Sequence, residues 1–272
     1  MRNLAARTAV ATATGALALT LVPATGAGAA EYSLDRRIAD SQVKESSGLS
    51  RSTYKRPLLW THNDSGDGPR LFAISRKGKT RAVVNIQGAS ANDWEDISSG
   101  PGNTLWIGDI GDNGRRRSHI TVYRIKEPKN LKVKSVKATR FDLDYPDGAH
   151  DAEGLMVNPR TGRLFVISKA SGNAAVYRAP EVLRSGTINK LTRVASAPDI
   201  VTAAAFSRDA RKIVIGTYGS AYVYSKLGGK ARKLSKPKTA QGESLTVSRS
   251  GRSIFVGSEG RQSPIYRMPM PR

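Results

Sequence analysis

One short pattern recurs five times along this 272-residue chain, and a repeat of that length constrains the fold more tightly than any composition could. A clear copy runs through residues 151–159 (DAEGLMVNP), 162–168 (GRLFVIS) and 174–178 (AAVYR). Residues 93–101 (DWEDISSGP) match its start without a gap, and 104–108 (TLWIG) and 120–124 (ITVYR) follow in the same order. A third copy is 242–247 (GESLTV), 253–257 (SIFVG) and 264–267 (PIYR). A fourth is 202–207 (TAAAFS), 212–216 (KIVIG) and 221–224 (AYVY). The earliest is 47–50 (SGLS), 58–61 (LLWT) and 70–74 (RLFAI). Equivalent first-strand positions are Ser47, Glu95, Glu153, Thr202 and Glu243, spaced 48, 58, 49 and 41 residues apart.

Each unit holds short segments rich in β-branched and aromatic residues, separated by Gly, Asn, Asp and Ser turns. No sustained 3.6-residue period competes with them. A unit of this length with four short strands is a propeller blade, so the fold predicted is an all-β propeller. Outer fourth strands are predicted at 81–86, 138–143 and 191–195. The last copy stops after its third strand, and residues 32–43 can supply the missing one. Five blades then close by pairing the two ends of the chain, which removes two sheet edges without a disulfide. There is no cysteine to make one, nor a thiolate metal site or thiol nucleophile. No sequence is left over for a sixth blade.

Residues 1–30 read as a separate object. Arg2 and Arg7 precede an Ala/Leu/Val/Thr run, and Ala27, Gly28, Ala29 and Ala30 offer an A-x-A-type cleavage site. The run is too short and alanine-rich for a membrane span, so a secretory signal peptide is expected, with residues 31–272 as one exported, monomeric propeller. No other segment has transmembrane length.

First strands of a propeller line its central channel, so Ser47, Glu95, Glu153, Thr202 and Glu243 are expected to form one ring of oxygens. Three carboxylates held together this way repel, by about 4 kcal/mol per pair at 4 Å and an effective dielectric near 20. Protonation or a cation relieves the repulsion. An all-oxygen donor set suits calcium, which is therefore the predicted cofactor. The serine, threonine and glutamate set resembles that of the five-bladed calcium-activated nucleotidases (apyrases). The W-E-D-I and A-E-G-L strand starts are similar to those of secreted bacterial propellers of the SdiA-regulated and esterase-like phytase type. That resemblance implies a central calcium and phosphoester or nucleotide hydrolysis; Thr202 departs from the apyrase serine but keeps the hydroxyl.

The connections after the second strands are polar and share one face: 62–67 (HNDSGD), 108–113 (GDIGDN), 169–173 (KASGN) and 258–261 (SEGR). Asp64 resembles the acidic apyrase loop residue near the attacking water. Asp64, Glu259 and His150 are the candidate catalytic residues, to orient or deprotonate water. Asp109, Asp112, Asn113, Arg115, Lys169 and Arg261 are the candidate substrate-binding set, the cations sharing developing charge. There is no G-x-S-x-G and no P-loop.

The chain holds 44 Lys and Arg against 22 Asp and Glu, a formal charge of +22. Basic residues gather in 115–117, 126–140 and 226–238, so a positive rim around a negative axis is expected. The alternative to an enzyme is thus a non-catalytic module for an anionic small molecule, a cell-wall polymer or an acidic lipid surface. At 6% aromatic residues, stacking on nucleic acid has little to work with, and only non-specific contact with it is expected.

Overall fold

The computed structural model describes residues 32–54 and 57–272; the predicted signal peptide lies outside the described residues. Twenty-two strands and no helix occur among the described residues. Strand β1 (Ser33–Arg37) precedes the first blade, which is β2 (Ser46–Arg51), β3 (Leu59–Asn63), β4 (Arg70–Ile74) and β5 (Thr80–Gln87). The second blade is β6 (Trp94–Gly100), β7 (Thr104–Asp109), β8 (Ile120–Lys126) and β10 (Thr139–Asp144), with β9 (Ser135–Lys137) intervening. The third is β11 (Ala152–Val157), β12 (Leu164–Ser168), β13 (Ala175–Arg178) and β15 (Thr192–Ser196), with β14 (Ile188–Lys190) intervening. The fourth is β16 (Val201–Phe206), β17 (Ile213–Thr217), β18 (Ser220–Tyr224) and β19 (Arg232–Ser235). The fifth is β20 (Leu245–Val247), β21 (Ser253–Gly257) and β22 (Pro264–Pro269), completed by β1.

Inner and outer strands differ as their packing demands. Strands β2 and β11 are buried along their whole length, whereas β5 alternates buried and exposed residues. Inner strands are covered on both faces by neighbouring blades, while outer ones meet solvent on one side. Two blades carry a fifth strand that sequence reading did not anticipate. Strand β9 pairs parallel with β5, and β14 pairs parallel with β10. Each leaves the third-to-fourth connection of one blade and covers the outer edge of the blade before it, hiding unpaired backbone groups.

Five apolar clusters fill the five seams of the ring. Trp60 and Leu71 meet Trp94 and Tyr123 between the first two blades, and Ile120 and Phe141 meet Leu155 and Tyr177 at the next seam. The closing seam joins Ile38 and Ile265 to Leu49 and Phe72. There β1 pairs antiparallel with β22, Ser33 opposite Arg267 and Arg37 opposite Pro264. A chain shortened to begin at Ile38 loses that ladder and bares the edge of β22. It is expected to melt at least ~10 °C lower, or to self-associate, by scanning calorimetry and sizing chromatography. A monomer with an unchanged melting temperature would show that β1 does not hold the ring shut.

The channel is stapled at its centre. Asp96, fully buried on β6, takes the Leu155 N–H at 2.9 Å and the Ala204 N–H at 3.1 Å on one oxygen. Its other oxygen takes the Ile97 N–H at 2.8 Å. One side chain thus links the inner strands of the second, third and fourth blades. Beside it, Ser98 Oγ accepts from Val157 N at 3.0 Å.

Candidate active site at the acidic mouth of the channel

The ring positions project inward because the first strands are bulged there. The ladder slips between Ser46 and Leu49, Trp94 and Asp96, Ala152 and Gly154, and Val201 and Ala203. Those slips fall at Ser47, Glu95, Glu153 and Thr202. A bulge inserts an extra residue and re-aims its side chain, which strict alternation would have sent elsewhere. Glu243 lies just before β20.

Ser47 Oγ donates to the Glu95 carbonyl at 2.8 Å and stands 3.5 Å from Glu95 Oε2. Thr202 Oγ1 donates to Gly242 O at 3.3 Å. Glu153 is ion-paired with Lys169, whose Nζ also donates to Tyr218 Oη at 3.0 Å. Tyr218 in turn donates to Glu243 Oε1 at 3.3 Å, which Gln241 Nε2 also reaches at 2.8 Å. Among the described residues, the carboxylates close enough to share a metal ion are a different set. Asp64, Asp93 and Glu95 each offer an oxygen, all within 4.8 Å of one another. Sequence reasoning had placed Asp64 beside the attacking water and had assigned Asp93 no role.

These carboxylates are held in low-dielectric surroundings among their own kind. Burial, reinforced by Glu153, Asp64, Asp93 and Asp151, pushes Glu95 well above the ordinary range. Burial with Asp64 and Asp151 raises Asp93 to about 6. Glu153 rises to about 8 because burial outweighs the pull of Lys169. Glu259 rises to about 9 through burial and a shared hydrogen bond with Glu243. Asp64 is raised by burial, with Glu243 and Glu45 adding to it. Glu153 Oε2 and Glu259 Oε1 are buried without a hydrogen-bond partner. Clustered, desolvated and partly unpartnered carboxylate oxygens are the donor set a hard cation satisfies.

The surrounding loops hold this group in place. Asn63 Oδ1 accepts from the backbone of Lys44 and Glu45, and its Nδ2 donates to Gln42 O and Asp67, clamping the turn that carries Asp64. Asp109, fully buried, accepts from Asn92 N, Asp93 N and Arg117 Nη1. Asp112 accepts from the backbone of Arg116 and Arg117. Both aspartates thus spend their oxygens on loop geometry, where sequence reasoning had them facing substrate. Asn113, Arg115 and Arg261 are exposed. His150 Nε2 sits 2.9 Å from both Asp147 Oδ1 and Tyr177 Oη, its ring edge-on to Tyr145. None of the His150 contacts involves a member of the acidic group.

Asp93, Asp96 and Asp151 are what sequence reasoning missed. A signal was present: three acids in four residues, D-W-E-D at 93–96, where strand alternation already puts Asp93 and Glu95 on one side. The bulge that turns Asp96 inward as well is not legible in residue types.

Gly111 closes over the group so tightly that a Cβ would lie 2.3 Å from Asp93 Oδ2 and 2.4 Å from Glu95 Oε1. Gly111→Ala must therefore displace the two carboxylates. Its expected effect is a loss of divalent-ion affinity of roughly tenfold or more by titration calorimetry, as disturbed ligand geometry costs. Retained affinity would place the ion elsewhere.

No protein-family model and no curated protein matches the sequence. Among solved structures, the chain is similar to a gluconolactonase of Xanthomonas campestris, described as important in glucose secondary metabolic pathways. The match has a TM-score of 0.51 at 16% identity and spans 86% of this chain and 91% of that one. At that identity the likeness is one of fold.

Proposed function

We propose that the chain is an exported hydrolase dependent on a divalent cation, with the acidic mouth as its active centre. We take its substrate to be an uncharged ester, such as a sugar lactone. The observation that carries this reading is the grouping of Asp64, Asp93 and Glu95 within 4.8 Å, with no nitrogen or sulfur ligand among them. Those three residues would hold the ion, and calcium fits their chemistry. When bound, such an ion polarises a carbonyl or phosphoryl oxygen.

The chain's own groups divide the remaining work. Glu259, raised to about 9, keeps a proton at neutral pH and can deliver it to a leaving oxygen. Lys169, fixed between Glu153 and Tyr218, is a cation beside the carboxylates, placed to steady negative charge as it develops. Charge also bears on substrate class. With Glu153 and Glu259 protonated at neutral pH, a divalent ion and Lys169 bring three positive charges against five carboxylates: Asp64, Asp93, Glu95, Asp151 and Glu243. Arg117 is committed to Asp109 at 2.9 Å. Such a mouth repels a multiply charged nucleotide and admits a neutral ester. The fold neighbour described as a gluconolactonase agrees in kind. Phosphoester hydrolysis is the second reading, favoured by the exposed Arg115 and Arg116 on the same face.

The test is a substrate panel of aldonolactones, nucleoside diphosphates and nitrophenyl phosphate, with calcium and with chelator. Lactone turnover that stops in chelator is the expected result. Turnover of the phosphate compounds alone would overturn the substrate class, and no turnover with any divalent ion would overturn the enzyme reading.

A further inference from the structure

The face opposite the acidic mouth has the reverse charge. Antiparallel blades send their first-to-second and third-to-fourth connections to that side, as turns 75–79, 127–134, 158–163, 179–187, 207–212, 225–231 and 248–252. The acids in those turns are Glu127, Glu181 and Asp209, and each is engaged. Glu127 is buried and accepts from Ser52, Thr53 and Trp60, Glu181 pairs with Arg163 at 3.2 Å, and Asp209 accepts from Ser207 Oγ at 2.6 Å. Every other charged residue in these turns is Lys or Arg.

At the lower end of the channel this charge gathers around a cleft. Arg160, Arg208 and Arg249, with Asp209, Ser250 and Gly251, line about 350 Å³ between the turns of the third, fourth and fifth blades. Arg51 lines the adjoining channel floor with Ser50, Ser98 and Thr246. Arg51 is only 9% exposed and is in no ion pair within 4.0 Å among the described residues. Burial, then Arg249 and Arg208, bring it down to about 10 against the weaker opposing pull of Glu127, whose oxygens are spent on Ser52, Thr53 and Trp60. Arg160, Arg208 and Arg249 are in no ion pair among the described residues, although Arg249 Nη1 donates to the carbonyls of Thr53 and Tyr54. A desolvated guanidinium crowded by like charge is costly unless an anion answers it.

We propose that this cleft binds the phosphate groups of a linear phosphate-bearing polyanion, docking the disc with its acidic mouth facing away. Arginine forks match phosphate oxygens in pairs, which a general electrostatic coat of lysines does not require. Among the described residues of these turns Val182 is the one exposed large hydrophobic side chain, so insertion into lipid has little support.

The probe is labelled long-chain inorganic polyphosphate, which has phosphate but neither base nor sugar, added to the chain from residue 31 onward with anisotropy as readout. Binding that weakens with salt is expected. In the triple variant Arg160→Gln, Arg208→Gln, Arg249→Gln, affinity should fall tenfold or more and the slope of log affinity against log salt should flatten by about 2. Arg37→Gln with Arg81→Gln, exposed on the outer strands β1 and β5, should leave binding unchanged. Arg208→Glu alone, at an exposed position, repeats the test if the triple variant does not fold. Equal loss in the Arg37/Arg81 variant, or unaltered binding in the triple variant, would overturn the proposal. So would binding to phosphatidylglycerol vesicles but not to polyphosphate, which would assign the face to a membrane.

Discussion

Asp96→Ala is expected to lower the melting temperature by at least about 6 °C, the largest effect of any single polar substitution in the hub. Removing the carboxylate strands the N–H groups of Ile97, Leu155 and Ala204 where water has no ready access. Each orphaned buried donor costs about 1–3 kcal/mol, and relief of the buried carboxylate's own desolvation returns part of the sum. A net loss of about 3–5 kcal/mol follows, at about 2–4 °C per kcal/mol for a chain of this size. Burial raises the Asp96 pKa even though the three N–H groups pull it down. Asp96→Asn should fall between wild type and alanine, because one oxygen still accepts while the amide adds a donor with nowhere to go. Calorimetry distinguishes the cases; an alanine variant as stable as wild type would mean the three inner strands hold their register without the staple.

Calcium is expected to raise the melting temperature, and chelator to lower it. A ligand at 100 times its dissociation constant stabilises by about 2.7 kcal/mol, or roughly 5–11 °C here. The pH dependence has a definite sign. Asp93 at about 6, Glu153 at about 8 and Glu259 at about 9 all lie above their values in an unfolded chain. Burial is the leading cause in each, so the protonated form is the one folding favours. Their contribution is complete below about pH 4 and is lost progressively as pH rises from there through the folded values of about 6, 8 and 9. In chelator the melting temperature should therefore fall across that window, and calcium should flatten the fall by giving the ionised carboxylates a partner. Glu95→Gln should abolish the calcium shift and cut any ion-dependent hydrolysis by more than the roughly 10–100-fold that loss of an outer-shell partner costs. Glu181→Gln, on the far face with its carboxylate 85% exposed, should change neither. A calcium-independent melting curve in wild type would sink the ion site.

Much of the architecture is legible in the sequence. The outer strands expected at 81–86, 138–143 and 191–195 correspond to β5, β10 and β15, and residues 32–43 contain the strand that closes the ring. The added strands β9 and β14 were not anticipated, since three-residue segments inside basic connections carry no period to read. The site was legible only in part. Repeat register singles out Glu95, Glu153 and Glu243 and puts Asp93 level with Asp151, but it compares like positions and is blind to Asp64, which comes from a different place in its blade. The predicted positive rim became a positive face, because strand direction decides to which side of the disc a turn belongs.

Local pattern alone determined the three inner strands of each blade, the blade count and the closure, because alternation and turn chemistry act over a few residues and the same unit recurs five times. Which oxygens come together at the mouth, and how Asp96 spans the channel, depended on bulges and on the angle between blades. Those are properties of neighbouring strands in contact, and no stretch of sequence carries them by itself.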